Sequence, residues 1–392
     1  MQYDFKSLPD RWNTGAVKYE LMAQAMPEIS EKKDVIPFSV ADMEFVYPPQ
    51  IREGLKKRID QSIFGYTWPT AEYEDAVVGW MERRHQWKVK KEWMVQTPGV
   101  VNAFFQSVRA FTQEGDGVIV MPPVYYPFYA AVQKNNRKVV ENPLKLEKGR
   151  YEIDFDDFEK KARDPNTKAL LFCSPHNPVG RVWTKKELEQ LADLCIKYDL
   201  LILSDEIHFD LVLPGHKHTV FATVDRPIQQ QVITFTAPSK TFNLAGLQLA
   251  NVMIEETGLR EQFKEELAKS GQGMLNAIGY EACRIAYDEC EDWLEQLIEV
   301  VAENHNSLKD FFDMHLPHAT VFPLEGTYLQ WIDFRKWKLS EKELEEKMQK
   351  EARMFLDEGY IFGEEGKGFE RINLACPKET LMEGLERIKK AF

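Results

Sequence analysis

The sequence predicts an α/β fold in which a large domain, built on a mostly parallel sheet covered by helices, is joined to a smaller α/β domain. Between about residue 94 and residue 250, short apolar runs alternate with helical segments, and this alternation is typical of βαβ units. The runs at 169–174 and 200–204 lack polar alternation, as expected for strands covered on both faces. The length of 392 residues suits one large domain with a smaller companion.

We expect three parts along the chain. Residues 1–48 contain several proline and glycine breakers and little periodicity, which predicts an N-terminal arm that contributes to the small domain. Residues 49–288 form the predicted large domain, and residues 289–392 the predicted small domain. In the small domain, an apolar stripe from Trp293 to Phe312 predicts one long connecting helix.

The individual elements follow from the residue patterns. Apolar, β-branched runs predict strands at 117–121, 138–140, 169–174, 200–204, 232–236, 319–322, 327–333 and 369–374, with one more short strand within 35–42. Helical periodicity predicts helices that begin at Pro49, span 71–87, 184–195 and 341–358, and begin again at Lys378. Thr184 and Glu187 have the spacing of a capping box.

Composition excludes several classes of protein. The chain has 63 acidic and 50 basic residues, a formal charge of −13 and no basic block, so nucleic acid and anionic membranes are poor partners. Its five cysteines are widely spaced and form no C-x-x-C motif, which argues against disulfide or metal frameworks and favours a reducing cytoplasm. The N-terminus is too polar for a secretion signal, and no apolar run approaches membrane-spanning length. We therefore expect a soluble, cytoplasmic protein without a metal.

Lys240 is the first candidate for chemistry. It stands in a predicted loop after the strand at 232–236, at the sheet edge where open α/β folds bind ligands. Its amine could form a Schiff base if burial or a neighbouring positive charge lowers its pKa. Taken alone, the residue favours the simpler interpretation, an ordinary loop lysine in solvent.

Three further polar residues have a functional and a structural interpretation. Asp205 follows an apolar strand and, if buried, needs a cationic partner; a helix cap or a structural ion pair would satisfy it too. Asn177 follows another strand and could hydrogen-bond a ligand oxygen, or could simply belong to an Asn-Pro turn. Arg371 lies inside an apolar strand, where either a ligand carboxylate or a buried Arg–Glu pair would compensate its charge.

Two weaker signals concern a helix start and an aromatic side chain. Gly99 precedes Val100 and Val101 at a predicted helix start, whose free N–H groups could bind phosphate, although many such starts bind nothing. Tyr125 follows a strand end and could stack on a flat ring, or pack in the core. The combination of these signals favours a functional site. Asn177, Asp205 and Lys240 follow successive strands of one predicted parallel sheet, so they are expected to gather at the same edge.

The chain resembles the aminotransferase class I/II family, whose members are fold-type I enzymes that depend on pyridoxal phosphate. The resemblance runs over nearly the whole length, and it rests on motifs around Gly99, Tyr125, Asn177, Asp205, Lys240 and Arg371. Finer stretches resemble the cystathionine β-lyase, or cysteine-S-conjugate β-lyase, branch. They are residues 40–45, 64–66, 205–210, 325–331 and 362–371.

The resemblance implies roles for the site residues. Lys240 would form the Schiff base with the cofactor and act in catalysis with Tyr125 and Asp205. The cofactor would be held by Val100, Val101, Tyr125, Asn177, Asp205, His208, Thr236 or Ser239, and Tyr66 of a partner subunit, while Arg371 and Asn177 would bind the substrate. Gln248 stands where many aminotransferases have a phosphate-binding arginine, and His208 where many have a tyrosine.

The resemblance also implies an activity. The reaction would be the cleavage of L-cystathionine or a related S-conjugate to a thiol, pyruvate and ammonia. The enzyme would be a homodimer and would take part in methionine biosynthesis. An aminotransferase on the same scaffold needs the same residues and is the alternative. A regulatory protein that keeps the pyridoxal phosphate pocket is a third interpretation.

Overall fold

The computed structural model describes residues 1–30, 34–61 and 63–392. Within these ranges the strands are β1 Ile36–Pro37, β2 Met94–Thr97, β3 Gly117–Val120, β4 Lys138–Glu141, β5 Lys145–Glu147, β6 Arg150–Glu152, β7 Thr167–Cys173, β8 Leu201–Asp205, β9 Val232–Thr236, β10 Ala250–Met253, β11 Thr320–Val321, β12 Leu329–Asp333, β13 Met354–Phe355, β14 Asp357–Glu358 and β15 Phe369–Asn373.

The helices of the same ranges are α1 Val17–Ala25, α2 Pro27–Ser30, α3 Pro49–Asp60, α4 Ala71–His85, α5 Val100–Phe111, α6 Pro127–Gln133, α7 Phe155–Ala162, α8 Lys185–Lys197, α9 Pro238–Thr241, α10 Thr257–Lys269, α11 Ala277–Glu289, α12 Glu291–His315, α13 Glu341–Glu346 and α14 Lys378–Ala391. The capping box of Thr184 and Glu187 at the start of α8 and the long helix α12 are as the sequence predicts.

A seven-stranded sheet forms the centre of the larger part of the molecule, in the order β2-β10-β9-β8-β7-β3-β4. All neighbours from β9 to β4 are parallel, and the predicted mostly parallel α/β fold is confirmed. Strand β10 was not predicted; it runs antiparallel between β9 and β2. Leu170 and Ile202 face one apolar core and Leu171 and Leu203 the other, which explains the missing polar alternation.

The second sheet is antiparallel, with the order β11-β12-β15-β14; α12 packs beside β11, and α14 packs against α12 and β13. Here the helix predicted at 341–358 is confirmed in its first part and wrong in its last part. The α-helix ends at Glu346, a π-helical turn covers Lys347–Glu351, and the chain then forms β13 and β14. Strand β13 pairs with β1 of the N-terminal arm, so tertiary pairing overrides the helical propensity of this segment.

Three smaller observations complete the fold. Lys240 lies in the short helix α9, not in a loop. No helix in the described ranges combines the length and the apolar composition that a membrane crossing requires. All five cysteines are buried free thiols.

Candidate active site

Lys240 is partly buried at the carboxyl edge of the large sheet. Strand β9 ends at Thr236, and Pro238 begins the single turn of helix α9 that carries the lysine. The Nζ atom donates to the carbonyl oxygen of Ala41 at 2.6 Å. Burial removes the hydration of the ammonium group and lowers the pKa of Lys240 to about 8, with Asp42 opposing the shift. The amine is therefore far more often neutral at physiological pH than that of an exposed lysine.

Asp205 ends the neighbouring strand β8 and faces the same cavity. Its Oδ1 accepts the backbone N–H of Ile207 at 3.1 Å, and the carboxyl group is 3% exposed. Burial raises the pKa of Asp205 to about 7, although the nearby Lys240 opposes this shift. No cation lies within ion-pair distance of Asp205 among the described residues. A ligand with a positive charge at this position would stabilise the carboxylate.

Asn177 and Arg371 form a buried pair at the other end of the site. Arg371 donates from Nη1 to Oδ1 of Asn177 at 2.8 Å and forms an ion pair with Asp357. The guanidinium also lies 4.8 Å from the centre of the Phe362 ring. Its Nε–H is buried and has no hydrogen-bond partner. The sequence left open which acidic group compensates Arg371; in the structure it is an aspartate of the adjacent strand.

Helix α5 points its first turn at the cavity. Its N-cap residue, Gly99, has φ 92°, a left-handed value that glycine adopts without steric cost, and no side chain caps the helix. The free N–H groups of Val100 and Val101 and the partial positive charge of the helix start are suited to a phosphate group. Ser239 and Gln248 line the cavity as well.

Tyr125 and His208 both line the cavity. The pKa of Tyr125 is raised, chiefly by burial, so the phenol is neutral. Burial and the nearby Lys240 and Arg371 lower the pKa of His208, and its Nδ1 has no hydrogen-bond partner. A neutral imidazole with a free ring nitrogen can still donate to or accept from a bound ligand.

A cavity of about 230 Å³ brings most of the predicted residues together. The site residues in its wall are Val100, Val101, Tyr125, Asn177, Asp205, His208, Ser239 and Lys240. Arg371 reaches this group through Asn177. The Thr236 hydroxyl instead donates to the carbonyl oxygen of Asn251 at 3.2 Å, which favours Ser239 over Thr236 as the ligand-binding hydroxyl. Tyr66 is 98% exposed and contributes nothing to the cavity of its own subunit.

Sequence reasoning missed the residues that surround the lysine from the arm and the small sheet. The carbonyl of Ala41 accepts from both Lys240 and Tyr328, the latter at 2.9 Å. Asp357 was hidden in the helix predicted at 341–358. A backbone carbonyl has no sequence signal, but residues 40–45 did belong to the lyase-like stretches.

The donor set fits pyridoxal phosphate. The buried amine of Lys240 suits its aldehyde, and the uncompensated carboxyl of Asp205 suits its ring nitrogen. The uncapped start of α5 suits the phosphate, and the free nitrogen of His208 lies in the same wall. The described ranges contain no group of three or more His, Cys, Asp or Glu side chains that could hold a metal ion.

Comparison with known proteins agrees with this geometry. The model of the family described as aminotransferase class I and II matches residues 33–388. The chain belongs to this family. Among members of the aminotransferase class I/II family, cystathionine β-lyase PatB of Bacillus subtilis is 42% identical over 389 residues, covering 99% of this chain and 100% of PatB. Protein MalY of Escherichia coli is 30% identical, with 100% of this chain and 99% of MalY covered.

A solved structure with the same fold carries the cofactor. Cystalysin from Treponema denticola, whose crystal structure contains pyridoxal 5'-phosphate, is 50% identical and superposes with a TM-score of 0.97, covering 100% of this chain and 99% of cystalysin.

Proposed function

We propose that this protein is a pyridoxal-phosphate-dependent C–S β-lyase that cleaves cysteine S-conjugates such as L-cystathionine. The observation that carries the proposal is the buried amine of Lys240 facing one cavity with Asp205 and Asn177. The likeness to PatB and cystalysin supports it. With cystathionine the thiol product is homocysteine, which places the reaction in methionine biosynthesis.

Bound pyridoxal phosphate supplies a cationic aromatic ring that takes up the electron pair left on the substrate Cα when its proton is removed. Asp205 keeps the ring nitrogen protonated, because a carboxylate and a cationic N–H each stabilise the charged form of the other. Tyr125 would stack on the ring. Asn177 and His208 would hydrogen-bond its hydroxyl.

The N–H groups of Val100 and Val101 and the hydroxyl of Ser239 hold the phosphate. Thr236 is the weaker assignment, since its hydroxyl is used within the sheet. Gln248, at the cavity wall, offers an uncharged amide where an arginine would offer a charge. Dipoles of the α5 start therefore carry most of the phosphate binding within this subunit.

Lys240 moves the proton. Its lowered pKa leaves a large neutral fraction near pH 8, which is the form that can accept the Cα proton of the substrate. The guanidinium of Arg371 binds the α-carboxylate, and Asn177 orients the guanidinium. Binding of the α-carboxylate by Arg371 would hold the substrate with its Cα near the Lys240 amine.

The bond changes balance with water as the second reactant. After the Cα proton has moved to Lys240, the Cβ–S bond breaks and the sulfur leaves with its electron pair as a thiolate, which then takes a proton. The remaining three-carbon enamine takes up water and yields pyruvate and ammonia. A sulfur leaving group makes this route easier than it is for amino acids without one.

We also propose a cytoplasmic homodimer. The loop with Phe64, Tyr66 and Trp68 is exposed, at 65%, 98% and 73%. Exposed aromatic side chains of this kind support an interface through which Tyr66 reaches the phosphate of the partner subunit. Free, buried cysteines support a reducing compartment.

The first test replaces the amine. Lys240→Ala is expected to abolish release of thiol and pyruvate from cystathionine, because Lys240 is the group to which the Cα proton is proposed to move. Borohydride reduction of the native holoenzyme should leave a pyridoxyl group at position 240, detected by peptide mass spectrometry. Lys217→Ala, at an exposed lysine, is the control and should retain activity. Turnover by Lys240→Ala would disprove the assignment.

An aminotransferase remains the second candidate, because the family itself is named for that activity and the site residues serve both reactions. A panel of S-conjugates offered with and without a 2-oxo acid separates the two. A lyase releases thiol without the 2-oxo acid. An aminotransferase consumes the 2-oxo acid and releases no thiol.

A further inference from the structure

Two consecutive residues of the N-terminal arm connect the Arg371 end of the cavity to the Lys240 amine. The N–H of Val40 donates to Oδ2 of Asp357 at 3.0 Å, and the same oxygen is the ion-pair partner of Arg371. The next carbonyl, that of Ala41, accepts the Lys240 ammonium at 2.6 Å. Any shift of this peptide segment therefore changes the position of the oxygen that holds the lysine.

The segment has an unfavourable backbone conformation. Val40 has φ 54°, in the left-handed region that β-branched residues very rarely occupy. Such a conformation persists only where the surroundings hold it. Asn373 contributes by donating from Nδ2 to the carbonyls of Val40 and Asp42, at 2.9 and 2.7 Å. Asp357 contributes through the N–H of Val40.

Asp357 is fixed for this role by the small sheet. It lies directly opposite Arg371 in the antiparallel pair of β14 and β15. Its side chain is 13% exposed and that of Arg371 is 3% exposed. A buried guanidinium requires a counter-charge, so Asp357 is held in place by Arg371 and in turn holds Val40.

We propose that Asp357 is a positioning residue that couples Arg371 to Lys240 through the backbone of Val40 and Ala41. The inference rests on the proposed function in two respects: Arg371 takes the substrate carboxylate, and Lys240 moves the Cα proton. Asp357 keeps Val40 left-handed, and the Ala41 carbonyl then orients the Lys240 amine whenever it is free. Without Asp357, Val40 relaxes, the carbonyl turns away and proton transfer slows.

The test measures proton transfer without C–S cleavage. L-Alanine has no leaving group on Cβ, and NMR follows the exchange of its Cα proton for deuterium by the holoenzyme in D₂O. Asp357→Asn keeps an oxygen acceptor for the Val40 N–H but removes the charge. We expect its exchange rate at saturating alanine to stay within about threefold of native, with a changed alanine dissociation constant. Asp357→Ala removes both contacts and should lower the rate about tenfold, since small displacements of a catalytic group are costly.

A second substitution that restores the exchange rate, and a measurement that needs no substrate, distinguish loss of Lys240 positioning from general destabilisation of the protein. Glycine occupies the left-handed region without steric cost, so adding Val40→Gly to Asp357→Ala should recover most of the exchange rate. Amide hydrogen exchange of residues 38–45, read by mass spectrometry on the apoprotein, should be faster in Asp357→Ala and native in Asp357→Asn. Glu358→Gln, at the next residue of β14, is the matched control with native exchange.

The outcomes distinguish this inference from the proposed function. Native exchange of alanine and native amide protection in Asp357→Ala would overturn the role of Asp357. Alanine exchange by a native enzyme that releases no thiol from any S-conjugate would overturn the lyase and leave Asp357 in place. If Asp357→Ala does not fold, Asp357→Leu replaces it, because leucine fills the volume of the aspartate and equally lacks an acceptor for the Val40 N–H. A native exchange rate in that variant would equally overturn the inference.

Discussion

Two side chains of the site have acid–base properties that burial changes in opposite directions. The pKa of Lys240 falls to about 8, because its ammonium form loses hydration, and the pKa of Asp205 rises to about 7, because its carboxylate form does. The ordinary pKa values of lysine and aspartate side chains are about 10.4 and about 3.9. Both groups can therefore change charge close to neutral pH, where a site for proton transfer requires it.

The lowered pKa of Lys240 has a measurable consequence for cofactor uptake. Only the neutral amine attacks an aldehyde, and the neutral form predominates above the pKa. We expect the rate at which apoprotein takes up pyridoxal phosphate, followed by stopped-flow absorbance, to rise with pH and level off above about 8. Nα-acetyl-lysine is the control, and its rate should keep rising toward about 10.4. A protein rate that also rises to pH 10 would contradict the lowered pKa.

At the scale of secondary structure, the start of helix α5 is the element with the clearest separate role. It is uncapped, begins after a left-handed glycine and faces the cavity. Its N–H groups are the main candidates for phosphate binding, since Gln248 contributes no charge. The strength of cofactor binding should therefore depend on backbone donors, which ordinary side-chain substitutions leave untouched.

Proline at position 100 tests that dependence. Val100 is the first residue of α5, where proline suits the helix but removes one N–H. Because a hydrogen bond to a charged group is worth about 1.5–3 kcal/mol, Val100→Pro should weaken binding of pyridoxal phosphate about 10- to 100-fold. Equilibrium titration of the apoprotein measures this. Val101→Ala, which keeps its N–H, should bind normally, and unchanged affinity in Val100→Pro would exclude that donor.

How far the sequence predicts the site depends on the kind of group. Lys240, Asp205 and Asn177 follow strand ends, and parallel strands bring their carboxyl ends to one edge, so their meeting was predictable. Asp357 was not, because residues 341–358 have helix-forming composition, and only the end of this segment forms strands, β13 and β14, by pairing with β1 and β15. The Ala41 carbonyl depends on a left-handed valine, which no local propensity predicts.

At the scale of the whole molecule, the proposed homodimer would have active sites shared between its two subunits. The boundaries at 48/49 and 288/289 stay predictions, and so does the crossing of Tyr66. The exposure of Tyr66 is explained if its ring enters a partner, because an interface of this symmetry exchanges the same residues in both directions. Each subunit would then be incomplete alone.

Mixing two defective variants tests this sharing. We expect Lys240→Ala and Tyr66→Ala each to have little activity as homodimers. After joint unfolding and refolding, mixed dimers should contain one site with an intact lysine and an intact partner tyrosine, so part of the thiol-releasing activity should return. Sedimentation should show dimers throughout. Activity that stays at the level of the separate variants would rule out a shared site.

The burial of the five cysteines has a consequence for an enzyme that releases thiols. An enzyme that releases thiols, and that meets disulfide-containing amino acids, works among molecules that form mixed disulfides with any reactive cysteine. Burial raises the pKa of all five cysteines, so each remains a protonated and poorly nucleophilic thiol. This holds even for Cys173, in the wall of the cavity. We therefore expect the five cysteines to resist forming mixed disulfides with the thiol products.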